Sequence, residues 1–103
     1  MSVSPYERER QRLSGLPRAE RFESLLEFPC QHLFKVIGAP TGLTDRIRGV
    51  MAHQGHPDGV LVERPSKGGK WLSVSVELTV TSGAELDRLY TALEGLEGVR
   101  FLL

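Results

Sequence analysis

The 103-residue sequence lacks the features that define several large classes of protein. Cys30 is its only cysteine, so no internal disulfide can form and a reducing, cytoplasmic setting is expected. No apolar run approaches the roughly 18 residues of a membrane-spanning helix, and the charged N-terminus has no apolar signal-peptide segment. Thirteen basic and thirteen acidic side chains give zero formal net charge, which leaves little long-range attraction toward nucleic acid or membranes.

Motifs that carry catalytic chemistry are also missing. The stretch 67–70, Lys-Gly-Gly-Lys, fails as a Walker phosphate loop because Arg64 and Trp71 stand where a glycine and a hydroxyl residue are required. His53 and His56 lack the further ligands of a zinc site. No serine or cysteine stands in a nucleophile-elbow motif, and no carboxylate pair is spaced for acid–base work. We therefore expect no enzyme, no cofactor and no metal.

The clearest positive signal is the stretch 71–80, Trp-Leu-Ser-Val-Ser-Val-Glu-Leu-Thr-Val. Its strict alternation of apolar and polar residues predicts a strand with one buried and one polar face. Shorter patterns predict further strands at 32–38, 60–64 and 99–103. Amphipathic spacing predicts a helix at 42–53, and a capping box at Ser82 and Glu85 begins another that ends at Gly95.

The order of these elements, β-α-β-β-α-β, predicts the fold. Two such units joined by a central hairpin give an α+β ferredoxin-like plait, a four-stranded antiparallel sheet with two helices on one face. The first and third strands are then central. Residues 22–103 form this domain, and residues 1–21 are expected to be an N-terminal extension, mobile or partly helical, with short helices at 5–13 and 18–26.

A plait leaves one face of its sheet uncovered, here called the open face. The alternation puts Ser73, Ser75 and Glu77 on it and assigns Phe34 and Phe101 to the core side. Without an aromatic, this face lacks the usual means by which such sheets stack RNA bases. The same alternation predicts an apolar group that requires a cover, either a second copy of the chain or the segment 22–28. That group comprises Leu33, Ile37, Leu61 and Leu102.

The hairpin loop between the second and third strands is basic. It contains Arg64, Lys67 and Lys70 and leads into Trp71. These cations could serve only to keep a sheet edge soluble, or they could meet an anionic partner such as a nucleic acid. Both interpretations stay open on the sequence.

Six short segments together resemble a known family. They are Leu-Leu-Glu-Phe-Pro at 25–29, Phe-Lys-Val-Ile-Gly at 34–38, Arg-Pro-Ser-Lys-Gly at 64–68, Ser-Val-Ser-Val at 73–76, Leu-Tyr-x-x-Leu at 89–93 and Val-Arg-Phe-Leu-Leu at 99–103. The combination is similar to the YbeD-like family, small bacterial cytosolic proteins of unknown function. The resemblance covers about residues 22–103 and implies a fold like that of ACT regulatory domains.

The resemblance also implies a place for a ligand. ACT domains bind amino acids and similar small ligands at paired-domain interfaces, through the turn between the first strand and the first helix. The corresponding residues here are Gly38, Thr41, Gly42 and Leu43. The acidic residue that often precedes this turn is absent. The expectation is therefore a cytoplasmic, self-associating regulatory or adaptor domain that acts in trans, with binding of nucleic acid or another anion at the basic loop as the alternative.

Overall fold

The computed structural model describes residues 15–103, so the helix predicted at residues 5–13 lies outside the described part. Its helices and strands follow the predicted order, preceded by a short helix. They are α1 Arg18–Leu25, β1 Cys30–Gly38, α2 Leu43–His53, β2 Leu61–Pro65, β3 Leu72–Val80, α3 Gly83–Glu94 and β4 Val99–Leu102. The predicted boundary between residues 21 and 22 falls inside α1. No helix within 15–103 is long and apolar enough to cross a membrane.

The four strands form one antiparallel sheet in the order β2-β3-β1-β4. The predicted central position of the first and third strands is confirmed. β1 and β3 pair along their whole length, from Cys30 opposite Val80 to Gly38 opposite Leu72. Because directly opposed residues share a face, this pairing sorts both strands into the same buried and open sides.

The core lies between the sheet and the helices α2 and α3. The alternation in β3 has the predicted outcome, since Leu72, Val74, Val76, Leu78 and Val80 are all buried. Burial of side chains of this size contributes roughly 1.5–3 kcal/mol each. Their partners are the buried stripes of the two helices, which consist of Leu43, Ile47 and Met51 on α2 and Leu86, Leu89 and Leu93 on α3.

The start of α3 confirms the predicted cap. The Ser82 hydroxyl accepts a hydrogen bond from the Glu85 amide at 3.1 Å, and the Glu85 carboxylate accepts one from the Thr81 amide at 2.9 Å. Such a cap is worth about 1 kcal/mol. The acidic side chain in the first turn also interacts favourably with the helix dipole. Gly95 ends the helix, as predicted.

A bulge in β4 corrects the prediction for this strand. Gly38 pairs with Val99 but Ile37 pairs with Phe101, so Arg100 is an extra residue. A shift of one residue moves each following side chain to the other face. Phe101 therefore lies on the open face and is exposed, whereas Leu102 pairs with Val36 and packs against the core. The predicted faces of Phe101 and Leu102 were wrong.

The predicted face of Leu61 was also wrong. Leu61 pairs with the buried Val76 and packs against the core, and its neighbour Val62 pairs with Ser75 on the open face. Apolar residues at 60, 61 and 62 gave the alternation no means of deciding which of them points inward. Leu33, opposite Glu77, and Ile37 lie on the open face as predicted.

Helix α1 packs on α3, in the helix layer. The Arg18 guanidinium forms ion pairs with Asp87 and Glu94, and the Phe22 ring stacks on Tyr90 with 5.7 Å between centroids. The Glu23 carboxylate accepts a hydrogen bond from the amide of Gly83, at the start of α3. The segment 22–28 thus packs on the helix layer and the core, and it does not cover the open face.

The end of β1 requires a glycine because the backbone of the next loop passes very close to it. A Cβ at Gly38 would lie 2.2 Å from the carbonyl oxygen of Gly98, which accepts a hydrogen bond from the Ala39 amide at 3.0 Å. Gly49 offers the contrast, because a Cβ there would meet nothing within 4 Å.

Replacing these two glycines should therefore have opposite effects. Gly38→Ala should lower the free energy of unfolding by about 1–3 kcal/mol, because the backbone must shift to admit the methyl group. Gly49→Ala should leave it unchanged or raise it by up to about 1 kcal/mol, since alanine favours a helix interior. Urea denaturation of both variants measures the difference. Equal stability of the two would contradict the close approach at Gly38.

Candidate binding surface on the open face of the sheet

Exposed apolar side chains concentrate on the open face. Of six large exposed ones in the described chain, only Leu25 on α1 lies elsewhere. The other five are Leu33 (57% exposed), Val60 (74%), Val62 (60%), Phe101 (60%) and Leu103 (65%). Leu103 belongs to this face because its backbone exchanges two hydrogen bonds with Lys35, at 2.9 and 3.1 Å. Large apolar side chains gathered on one exposed face are typical of interaction surfaces.

One end of the open face is a shallow groove of about 580 Å³. The sheet contributes Leu33, Val62, Ser75 and Glu77 to its lining, and the loop before β2 adds residues 55–60, among them the exposed Val60. We call this region the groove end. It combines three exposed apolar side chains with the carboxylate of Glu77.

The other end of the face is built around Trp71. The Lys70 ammonium and the Arg100 guanidinium both lie 5.6 Å from the centroid of the Trp71 ring. A pocket of about 320 Å³ beside the ring is lined also by Arg64 and Lys35. Phe101 lies in the same row of the sheet as Ile37 and Ser73, at this end of the open face. We call this region the Trp71 end. It consists of Lys35, Arg64, Lys70, Trp71, Arg100 and Phe101.

The Trp71 end is electropositive. The ion pairs among residues 15–103 involve Arg18 and Arg48, and none involves a cation of the Trp71 end. The nearby carboxylate of Glu63 points the other way, since Glu63 pairs with the buried Val74 and accepts a hydrogen bond from the Thr44 hydroxyl at 2.6 Å. The Trp71 end therefore holds like charges that are available to an anion.

The hairpin loop has the geometry that its glycines predict. Gly68 and Gly69 have φ values of 87° and 73°, in the left-handed region. Ser66 closes the loop, because its amide donates to the Trp71 carbonyl at 2.8 Å and its hydroxyl accepts from the Trp71 amide at 2.9 Å. This double contact fixes the backbone of Trp71. Lys67 is exposed at the tip of the loop and stands apart from the pocket beside Trp71.

The predicted ligand turn is divided by burial. Gly38 and Leu43 are buried, so only Thr41 and Gly42 of the four proposed residues are exposed to a ligand. Arg46 lies against the turn: its Nη2 donates to the Thr41 carbonyl at 3.1 Å, and its Nε donates to the Glu97 carbonyl at 3.0 Å.

Sequence reasoning missed Arg46 because its role depends on two glycines that are distant in the chain. A Cβ at Gly42 or Gly98 would lie within 2.9 Å of the guanidinium, and both glycines have positive φ. The only signal in the sequence was the occurrence of glycine in both loops.

A cluster of metal-ligating side chains is not found among residues 15–103.

His32, near the start of β1, lies in an aromatic cluster beneath α1. The His32 Nε2 and the Tyr90 hydroxyl are 2.7 Å apart, and the His32 ring meets Phe34 and Tyr90 edge-on. Burial lowers the pKa of His32 and raises the pKa of Tyr90. The folded protein therefore favours a neutral imidazole.

Stability should depend on pH through His32. Its folded-state pKa lies below the unfolded value near 6.5, so the unfolded chain binds the proton more tightly. The stabilisation is complete above about pH 6.5 and is lost as pH falls toward the folded-state pKa. In His32→Gln the thermal midpoint should change less with pH between about pH 7.5 and 5 than it does in the wild type. His53→Gln, a substitution at an exposed residue, is the control and should show the same change with pH as the wild type. An identical slope in His32→Gln would assign the effect to another group.

Comparison with solved structures defines the class of the fold. The solution structure of protein HP0495 from H. pylori superposes with a TM-score of 0.67 at 19% identity, over 100% of this chain and 98% of that chain. The crystal structure of the ACT domain from GTP pyrophosphokinase of Chlorobium tepidum superposes with a TM-score of 0.55 at 17% identity, over 71% and 94%. At these identities the likeness shows an ACT-like, ferredoxin-like fold and nothing further.

The sequence comparisons identify the family within that class. Residues 23–103 match the family described as a protein of unknown function (DUF493), and the chain belongs to it. A UPF0250 protein of Shewanella sp. (strain ANA-3) is 42% identical over 84 residues, which cover 81% of this chain and 96% of the relative. The UPF0250 protein of Shewanella oneidensis is 40% identical with the same coverage. The resemblance to the YbeD-like family is thereby confirmed.

Proposed function

We propose that this protein is a non-catalytic adaptor or regulatory domain of the cytoplasm that acts by binding and self-associates through the groove end. The observation that carries the proposal is the placement of Leu33, Val60 and Val62, all at least 57% exposed, around one groove. Side chains of this kind gain free energy when a second apolar surface removes them from water.

Symmetry selects the groove end as the contact between two copies. In a two-fold contact the same patch meets itself, so groups near the axis face their own copies. The Trp71 end would then oppose the like charges of Lys35, Arg64, Lys70 and Arg100, which is unfavourable. At the groove end the uncharged Leu33, Val60 and Val62 can meet themselves, and fewer like charges, those of Asp58 and Glu77, are opposed. Three apolar side chains per copy make an interface at the small end of the known range, below about 1,200 Å², so the association should be weak.

Charge substitution at one apolar residue tests the dimer. Leu33→Glu should make the protein monomeric, because it adds a second carboxylate next to Glu77, which lies opposite Leu33, and like charges then meet across the contact. Leu25→Glu is the matched control, since Leu25 is 63% exposed against 57% for Leu33 but lies on α1. Sedimentation velocity over a wide concentration range should show association for the wild type and Leu25→Glu only. A wild-type protein that is monomeric at every concentration would contradict the proposed self-association.

The regulatory part of the proposal rests on a small ligand at the turn. Gly42 and Leu43 lead into α2 as a glycine-leucine pair does in ACT domains, and Thr41 and Gly42 are exposed. Among the common amino acids, one should raise the thermal midpoint by about 10 °C or more at a concentration about 100 times its Kd. A flat panel across all of them would contradict ligand regulation and leave protein contact as the remaining role.

A further inference from the structure

We propose that the Trp71 end binds single-stranded nucleic acid, with bases stacked on Trp71 and Phe101 and phosphates held by Arg64, Lys70 and Arg100. This goes beyond self-association. It uses the part of the open face that the dimer leaves exposed, and it assigns a role to the basic hairpin loop.

The aromatic part of the site exists because of the bulge in β4. A regular strand would send Phe101 into the core, and the open face would then lack this ring. The bulge instead sets Phe101 opposite Ile37, with 60% of the residue exposed. Trp71 precedes β3 and Phe101 lies on β4, so their positions are two strand spacings apart across the sheet and two residues apart along the strands, about 12 Å in all. Plait domains stack two or three bases on aromatics displayed across such a sheet face.

The cations are arranged to receive a backbone. Lys70 and Arg100 lie against the Trp71 ring, each 5.6 Å from its centroid, and Arg64 lines the adjoining pocket. A base that stacks on Trp71 takes the place of one of these two cations on the ring, and Arg64 and Lys35 in the lining of the pocket lie beside it for its phosphates. No carboxylate within residues 15–103 competes for these groups by forming an ion pair. The guanidinium groups can grip a phosphate through two parallel hydrogen bonds.

The combination favours nucleic acid over an acidic peptide. An acidic peptide would satisfy the cations but would leave the exposed ring of Phe101 without a flat partner. Every nucleobase has a face that stacks on an aromatic ring, so the site should tolerate many sequences. Because only a few cations form the site and the protein has zero formal net charge, the affinity should be modest and sensitive to salt.

Trp71 supplies the direct measurement, because it is the only tryptophan in the chain. Titration of the full-length protein with a short mixed-sequence single-stranded RNA at low salt should quench Trp71 fluorescence. With three or four phosphates neutralised, log K should fall with log salt at a slope of roughly −2 to −3. Fluorescence anisotropy of a labelled RNA should give the same Kd.

Variants separate stacking from charge. Phe101→Ser should weaken binding at least about fivefold, the loss expected when one base loses its aromatic partner. Arg64→Ser should weaken binding and reduce the salt slope by about 0.7. Arg48→Ser is the matched control, because it removes the same charge from an exposed position on α2 and should leave the affinity unchanged.

Three results would overturn the proposal. The first is the absence of quenching and of an anisotropy change at low salt. The second is equal binding of RNA, polyphosphate and polyglutamate with no effect of Phe101→Ser, which would leave only a non-specific basic patch. The third is loss of the dimer in Arg64→Ser, which would assign the cation to a protein interface. Leu33→Ser, which removes an apolar side chain from the dimer contact without changing the charge, should bind RNA as the wild type does, so failure of the dimer and failure of RNA binding can be told apart.

Discussion

The pairing of β1 with β3 is the constraint on which the rest of the structure depends. These two strands are opposed from one end to the other, and their inward residues meet the apolar stripes of α2 and α3. Because side chains alternate along a strand, burying Phe34 and Val36 forces Leu33, Lys35 and Ile37 outward. The open face is thus a consequence of the core. Both helices are already committed to the other side, so its apolar residues have no partner among the elements described.

An irregularity in the pairing of β4 with β1 determines which side chains the open face exposes. The bulge in β4 adds Arg100 and turns Phe101 outward, while Leu102 moves inward to rejoin the core. The bulge stands next to Gly38, where the backbone of the loop before β4 crosses closest to β1. A side chain at Gly38 would push that loop away, so the glycine and the bulge belong to one local arrangement. Bulges commonly occur where a strand must re-aim a side chain toward a site.

The topology could be predicted from the sequence, but the faces occupied by side chains of the edge strands β2 and β4 could not. β3 was predictable because its alternation continues over a full strand, and α3 because Ser82 and Glu85 mark its start. The predicted face of Leu61 was wrong because three consecutive apolar residues fit either face. The predicted face of Phe101 was wrong because a pattern of period two does not reveal an extra residue in a strand. The candidate surface takes Val62, Arg64, Arg100 and Phe101 from these edge strands, so the fold was predicted better than the candidate site.

Zero net charge proved a poor guide to the surface, for a physical reason. Opposite charges cancel for a partner only when both lie within its reach, and salt limits that reach to about 10 Å. Several carboxylates are engaged far from the open face, such as Asp87 and Glu94 with Arg18 on the helix layer. An ion pair there neutralises the total but removes no charge from the Trp71 end. A partner that approaches the Trp71 end therefore meets a cationic, aromatic surface, although the chain as a whole is neutral.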